Sequence, residues 1–275
     1  ERAHDEQGRP DARRSAFYVP NAYAQAVVAR YPQYFEWAAS IHPYRADCVE
    51  ELAAAVRGGA RAVKWLPPAM AIDPSSPRCD RFYQALAQHD LPLITHAGEE
   101  KAVHGAELEA LGNPLLLRRA LDHGVRVVVA HCASLGMAAD LDRGPQAAPV
   151  ACFELFTRMM GEARYASLLF ADISALALRN RPPETLRVLL EREEWHARLL
   201  NGSDYPLPGV VPLILPADLA ARGLLPASAV ARLELIREHN PLLFDFVLKR
   251  HLSSNGHRFP PGVFATRRFF DRRTA

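Results

Sequence analysis

The stretch LPLITHAGEE, residues 91–100, followed by VRVVVAHCAS at 125–134, decides how this chain is read. Each begins as a short apolar run that ends on a histidine, His96 or His131, and a helical pattern lies between them. In that helix Asn113 is a cap, Pro114 takes the first helical position and Gly124 closes the end. Strand, helix and strand in this order make a βαβ unit.

Outward from this unit the pattern repeats. FEWAASIH (35–42), ARAVKWL (60–66), SLLFADIS (167–174) and ARLLNGSD (197–204) are further strand candidates. Asn21 is expected to cap a helix that stops at Pro32, and Asp47 a helix that ends at Gly58. PPETLRVLLEREEWH carries Leu186, Leu189 and Leu190 on one stripe. Beyond residue 204 helices are expected over 212–222 and 226–239. A last one, capped by Asn240-Pro241, is expected to turn Leu242, Leu243, Phe246 and Val247 inward.

Lys64, His96, His131, Asp172 and Asp204 stand at or near successive strand ends, at intervals of 32 to 41 residues. Such even spacing predicts a (β/α)8 TIM barrel. An open doubly wound sheet usually carries a glycine-rich phosphate loop, and neither G-x-G-x-x-G nor G-x-x-x-x-G-K-[ST] occurs.

Composition narrows the function. The 275 residues are 49% hydrophobic, enough for a sizeable core. Lys+Arg 33 against Asp+Glu 31 gives a net charge of +2, which argues against nucleic-acid or membrane partners. Arg2, Arg9, Arg13 and Arg14 near one end, and Arg267, Arg268, Arg272 and Arg273 near the other, read as solvated tails. Cys48, Cys79, Cys132 and Cys152 are scattered without a C-x-x-C pair, so neither a disulfide framework nor a cysteine zinc site is expected. No apolar run reaches the roughly 20 residues of a membrane span, and a cytoplasmic location is expected. A small-molecule substrate is the expected partner, with a homo-oligomer compatible.

In a parallel barrel the active site forms at the carboxyl ends of the strands. His96, His131 and Asp204 could there converge on a divalent ion, because imidazole and carboxylate suit zinc, manganese or iron. Each also has a structural reading: a satisfied core or loop histidine, or a turn aspartate in GSDYP. Lys64 reaches the barrel mouth in either reading. His42 and Arg45 are candidate substrate contacts, with packing of His42 under a loop as the alternative. Trp65 is a further candidate contact. Glu99 and Glu100 are placed to orient a ligand or are solvated, and Asp172 either takes part in catalysis or makes a buried hydrogen bond.

The segments KWLPPAMAID, PLITHAGEE, VVVAHCAS, LLNGSDYP and NPLLFDFV together resemble the amidohydrolase superfamily, in particular its amidohydrolase-related branch, over residues 17–251. That resemblance implies a barrel binding one or two divalent ions, most often zinc. His96 would be its strand-5 ligand, His131 its strand-6 histidine and Asp204 its strand-8 aspartate. A metal-activated water would attack an ester, amide or lactone, with Asp204 as proton shuttle and His131 binding metal or polarising the carbonyl. Lys64 would be a mouth cation or a carboxylated metal bridge.

The superfamily's His-x-His is absent from the sequence, the chain begins on Glu1, and only six strands are countable. The expectation is therefore that strands 3–8 are in view, that the first one or two βα units lie upstream, and that the complete metal cradle is missing here. Residues 1–16 are read as a polar remnant or linker, 17–251 as the barrel and 252–275 as a C-terminal extension. Alternatives are a related decarboxylase on the same site, a metal-free lactonase-like enzyme, or a non-catalytic binding barrel.

Overall fold

The computed structural model describes residues 2–5, 7–15, 18–100, 106–144 and 146–271. The boundary expected at residue 17, and Arg272 and Arg273, lie outside them. The six expected strands all form: β1 (Ala38–Ala39), β2 (Ala62–Trp65), β3 (Leu93–His96), β4 (Val127–Ala130), β5 (Leu169–Asp172) and β6 (Leu199–Leu200). The main helices between and after them are α1 (Asn21–Arg30), α2 (Cys48–Arg57), α3 (Asp80–Gln88), α4 (Cys152–Met160), α5 (Pro183–Glu191), α6 (Val230–His239) and α7 (Pro241–His251). This alternation is that of a partial (β/α) barrel. The chain divides into two compact units, Glu1–Phe170 with Phe270–Ala275, and Ala171–Phe269.

In the first unit β1 to β4 pair in chain order, all parallel, with Ala39 beside Val63, Lys64 beside Ile94 and His96 beside Ala130. Residues in register project to one face, and the face alternates along each strand. Trp65 therefore points away from Lys64. It stacks on Phe82 of α3 with ring centroids 5.5 Å apart, and its Nε1 donates to the Ile41 carbonyl at 2.8 Å. Lys64, Ile94 and His96 share the other face. All four residues of β4 are buried, as strands covered on both faces require.

Helix α4 buries Leu155, Phe156, Met159 and Met160, a stripe spaced i, i+1, i+4, i+5. An antiparallel ribbon, Met137–Ala139 with Pro149–Ala151, precedes it and has no counterpart in the expected pattern. Asn113 caps as expected, accepting from the Leu115 amide at 3.0 Å, although its first turn is a 3-10 helix. Two other caps differ. The Asn21 side chain makes a reciprocal pair with the Ser40 backbone, both bonds 2.9 Å, and so is not available to the helix. The Asp47 carboxylate is taken by Arg45 at 2.7 and 2.8 Å.

A short ribbon, Ala3–His4 with Pro10–Asp11, buries His4 against His42, ring centroids 4.4 Å apart. His42 is wholly enclosed. Its Nδ1 accepts from the Tyr44 amide at 3.2 Å, so Nε2 carries the proton and donates to the Met70 carbonyl at 2.8 Å. Burial pushes its pKa down to about 3.

In the second unit β6 pairs with β5, Leu199 beside Ala171 and Leu200 beside Asp172. Helix α5 buries Leu186, Leu189 and Leu190 as expected, and the segment 212–222 is helical only over Pro216–Ala221. Asn240 caps α7 by accepting from the Leu243 amide. The face of α7 is reversed from the expected one. Leu242, Leu243 and Phe246 are 52%, 46% and 40% exposed, while Phe244, Asp245, Leu248 and Lys249 are buried. Burial of the two charges is feasible because Lys249 pairs with Asp245 at 2.6 Å. Among the described residues no helix is long and apolar enough to cross a membrane.

Two outcomes follow. Trp65→Ala removes a fully enclosed indole and should cost about 3–5 kcal/mol in urea unfolding, and a loss below about 1 kcal/mol would contradict this packing. The unfolded His42 ring takes up a proton near pH 6.5 that the folded ring refuses until about pH 3. Stability should therefore fall as pH drops through that window, by up to about 1.4 kcal/mol per pH unit from this group. His42→Gln should flatten that slope, and an unchanged slope would exclude His42 as its source.

Candidate active site

The carboxyl ends of the strands carry unusual backbone. After β4, His131, Cys132 and Ala133 have φ of 56°, 52° and 47°, three left-handed residues in succession, and Asp204 after β6 has φ 55°. Each such residue costs about 1–2 kcal/mol without a glycine, so these turns persist because their surroundings hold them.

In the first unit β3 delivers His96 to its end, 4% exposed. The chain then folds back on it. Gly98, φ 88°, lies so close to the next loop that a Cβ would stand 2.4 Å from the Leu135 carbonyl oxygen. The Glu99 amide donates to that oxygen at 2.9 Å. This return brings the Glu99 carbonyl to 3.3 Å from His96 Nε2 and Glu100 Oε2 to 3.3 Å from Nδ1. Both ring nitrogens thus face acceptors, which an imidazolium satisfies fully and a neutral ring on one side only. His131 stands on the neighbouring strand end, its ring edge-on to His96 with centroids 5.6 Å apart.

These residues do not fit a divalent ion by themselves. A ligand histidine offers a lone pair, whereas both nitrogens of His96 are turned to oxygen acceptors. Among the described residues no three His, Cys, Asp or Glu side chains gather closely enough to hold a metal ion.

The other residues singled out in the sequence are placed elsewhere in this unit. His42 is locked between Met70, Tyr44 and His4; Arg45 holds Asp47; Trp65 is inside the core. Lys64 is half-buried on the face that it shares with His96.

The second unit holds a charged cluster. Asp172, at the end of β5, accepts from the Ser174 amide at 3.0 Å and from the Ser174 hydroxyl. Asp204 is exposed on the turn that follows β6. From α7, buried Lys249 donates to Asp245 Oδ2 at 2.6 Å and to the Gly202 carbonyl at 2.5 Å. Burial pushes Asp245 above the usual carboxylate range, with Asp204 and Asp172 adding to the rise and Lys249 opposing it. Burial also lowers Lys249, and the three aspartates hold it up. Neither Lys249 nor Asp245 was singled out in the sequence, because the leucines of α7 supplied a more obvious inward stripe. Their i, i+4 spacing was the available signal.

No curated protein matches the sequence. Among solved structures, an uncharacterized TIM-barrel protein from Bordetella bronchiseptica aligns over 83% of this chain and 73% of its own, at 18% identity and a TM-score of 0.51, and supports the barrel fold. A candidate 2-pyrone-4,6-dicarboxylic acid hydrolase from Pseudomonas putida aligns over 68% of this chain at 17% identity and a TM-score of 0.47. This chain spans 62% of that protein. A 2,6-dihydroxybenzoate decarboxylase from Rhizobium aligns over 68% of this chain and 65% of its own, at 15% identity and a TM-score of 0.46. A family model described as Amidohydrolase matches residues 2–233. On that match the chain belongs to the amidohydrolase family of enzymes.

Proposed function

We propose that this chain acts on a small molecule as a hydrolase, opening the C–O or C–N bond of an ester, amide or lactone. The observation that carries the reading is the pair of imidazoles on adjacent strand ends, His96 held by Glu100 and His131 beside it. A ring held between two acceptors is suited to carry a proton, and a second ring beside it can donate to a carbonyl oxygen as negative charge develops there. His131 is assigned that polarising role. The resemblance to the amidohydrolase superfamily assigns the proton to Asp204, an exposed carboxylate on a strained turn of the second unit: it would accept one from the attacking water and return it to the leaving group.

Decarboxylation of a small aromatic or unsaturated acid is a second reading. It is favoured by half-buried Lys64 on the face shared with His96, because an ammonium there offers three donors to a substrate carboxylate.

Members of the amidohydrolase superfamily usually bind divalent metals. The described residues of this chain do not fit one, and neither reading depends on it. Among the described residues two imidazoles lack the third ligand of a catalytic site, and after chelation and dialysis against zinc less than about a tenth of an equivalent is expected to be retained. A full equivalent would show that these residues do form a cradle.

Activity is tested with dihydrocoumarin, 4-nitrophenyl acetate and 2,6-dihydroxybenzoate. Hydrolysis of the first two is expected, with His131→Asn and Asp204→Asn each lowering kcat/KM by about 100-fold while the circular dichroism spectrum is kept. Consumption of the third alone, with release of carbon dioxide, would favour the second reading. Turnover that survives both substitutions would contradict the assigned roles.

A further inference from the structure

Helix α7 seats a lysine and an aspartate where its own leucines could have gone. Lys249 and Asp245 are each 2% exposed, yet Leu242 and Leu243 of the same helix stand in solvent. Stability does not explain this choice. Desolvating two charges offsets most of their attraction, and apolar residues of the same volume commonly do as well or better. What an ion pair does that leucines cannot is aim a charged N–H at one chosen acceptor.

That acceptor is the Gly202 carbonyl, 2.5 Å from Lys249 Nζ. Gly202 opens the turn that ends on Asp204. Ser203, between them, accepts from the Tyr205 amide through its hydroxyl at 3.2 Å, and the Asp204 carbonyl accepts from the Leu207 amide at 3.0 Å. On its other side Gly202 packs on Ser174 and Asp172, where an added Cβ would stand 3.4 to 3.7 Å from their side chains. One end of the turn is thus tied down by the ammonium, while Asp204 at the other end keeps a left-handed φ of 55°.

We propose that Lys249 is a positioning residue for Asp204: seated by Asp245, its ammonium clamps the Gly202 carbonyl and so fixes the turn that presents the Asp204 carboxylate. The proposal rests on the reading of Asp204 as the proton carrier. Lys249 itself touches no substrate in this account. Its positive charge also offsets the negative charges of Asp172 and Asp204.

The test uses the whole chain with three variants. Lys249→Met removes the clamp but leaves Asp245 buried and unpaired. Asp245→Asn combined with Lys249→Met removes it without leaving a charge, and Lys249→Arg keeps a donor. Amide hydrogen exchange is read first. In the double variant, exchange at Tyr205 and Leu207 should accelerate about tenfold or more while the amides of α7 and β6 stay within about twofold. Unchanged exchange in the turn, or a rise shared equally by all of Ala171–Phe269, would overturn the proposal.

Dihydrocoumarin hydrolysis is read second. The double variant should lose kcat by about tenfold or more with KM within about twofold, and Lys249→Arg should recover most of it. A loosened turn with kcat unchanged would overturn the positioning role. If Asp204→Asn leaves turnover intact, or the chain is inactive on dihydrocoumarin, it is the reading of Asp204 that fails, and the exchange result alone decides the clamp.

Discussion

The pairing of His96 with Ala130 across β3 and β4 is the constraint on which the placing of the two histidines depends. Parallel neighbours lie about 4.8 Å apart, and His131, one residue beyond Ala130 and off the strand with φ 56°, brings its ring alongside His96. The 5.6 Å between the His96 and His131 rings is close to that spacing. Register matters as much as distance. A slip of one residue would send His96 to the face where Trp65 packs on Phe82, and the pair would be lost. The buried run Val127–Ala130 guards against such a slip, because every residue of it is buried.

Around this frame the chain accepts local strain. Three left-handed residues carry it away from β4, and Gly98 and Gly136 bring the two loops together at distances that no side chain would allow. At Gly136 a Cβ would stand 2.6 Å from the Glu99 Cβ. The return places a carboxylate and a carbonyl on the two nitrogens of His96, so the ring's orientation is fixed by its own loop. In the second unit a comparable end is served differently: the turn bearing Asp204 is held from α7 by a buried ammonium. Both arrangements hold a polar group at a strand end by contacts from a neighbouring loop or helix.

Much of the fold was legible because parallel strands announce themselves as apolar runs of fixed length, and because Asn113-Pro114 and Asn240-Pro241 are strong helix starts. What escaped depends on long-range partners. Asn21 is a good cap by type, but Ser40, nineteen residues away, takes its amide. The inward face of α7 followed hydrophobicity on paper, whereas in the structure an i, i+4 ion pair with a carbonyl to bind takes that face and the leucines stand outside it. Of the candidate site, His96 and His131 were readable from their positions at the ends of strand runs. The sealing of His42 stood only as the alternative to a substrate contact, since its partners His4 and Met70 lie far from it on either side along the chain.

The proposed hydrolase chemistry has His96 and His131 working as one unit. A double-mutant cycle on dihydrocoumarin hydrolysis, with His96→Asn, His131→Asn and the combined variant, tests this most directly. If the rings act together, the combined loss in kcat/KM should be little greater than the larger single loss. Two losses that multiply in full would show that the rings act independently, and would contradict the claim.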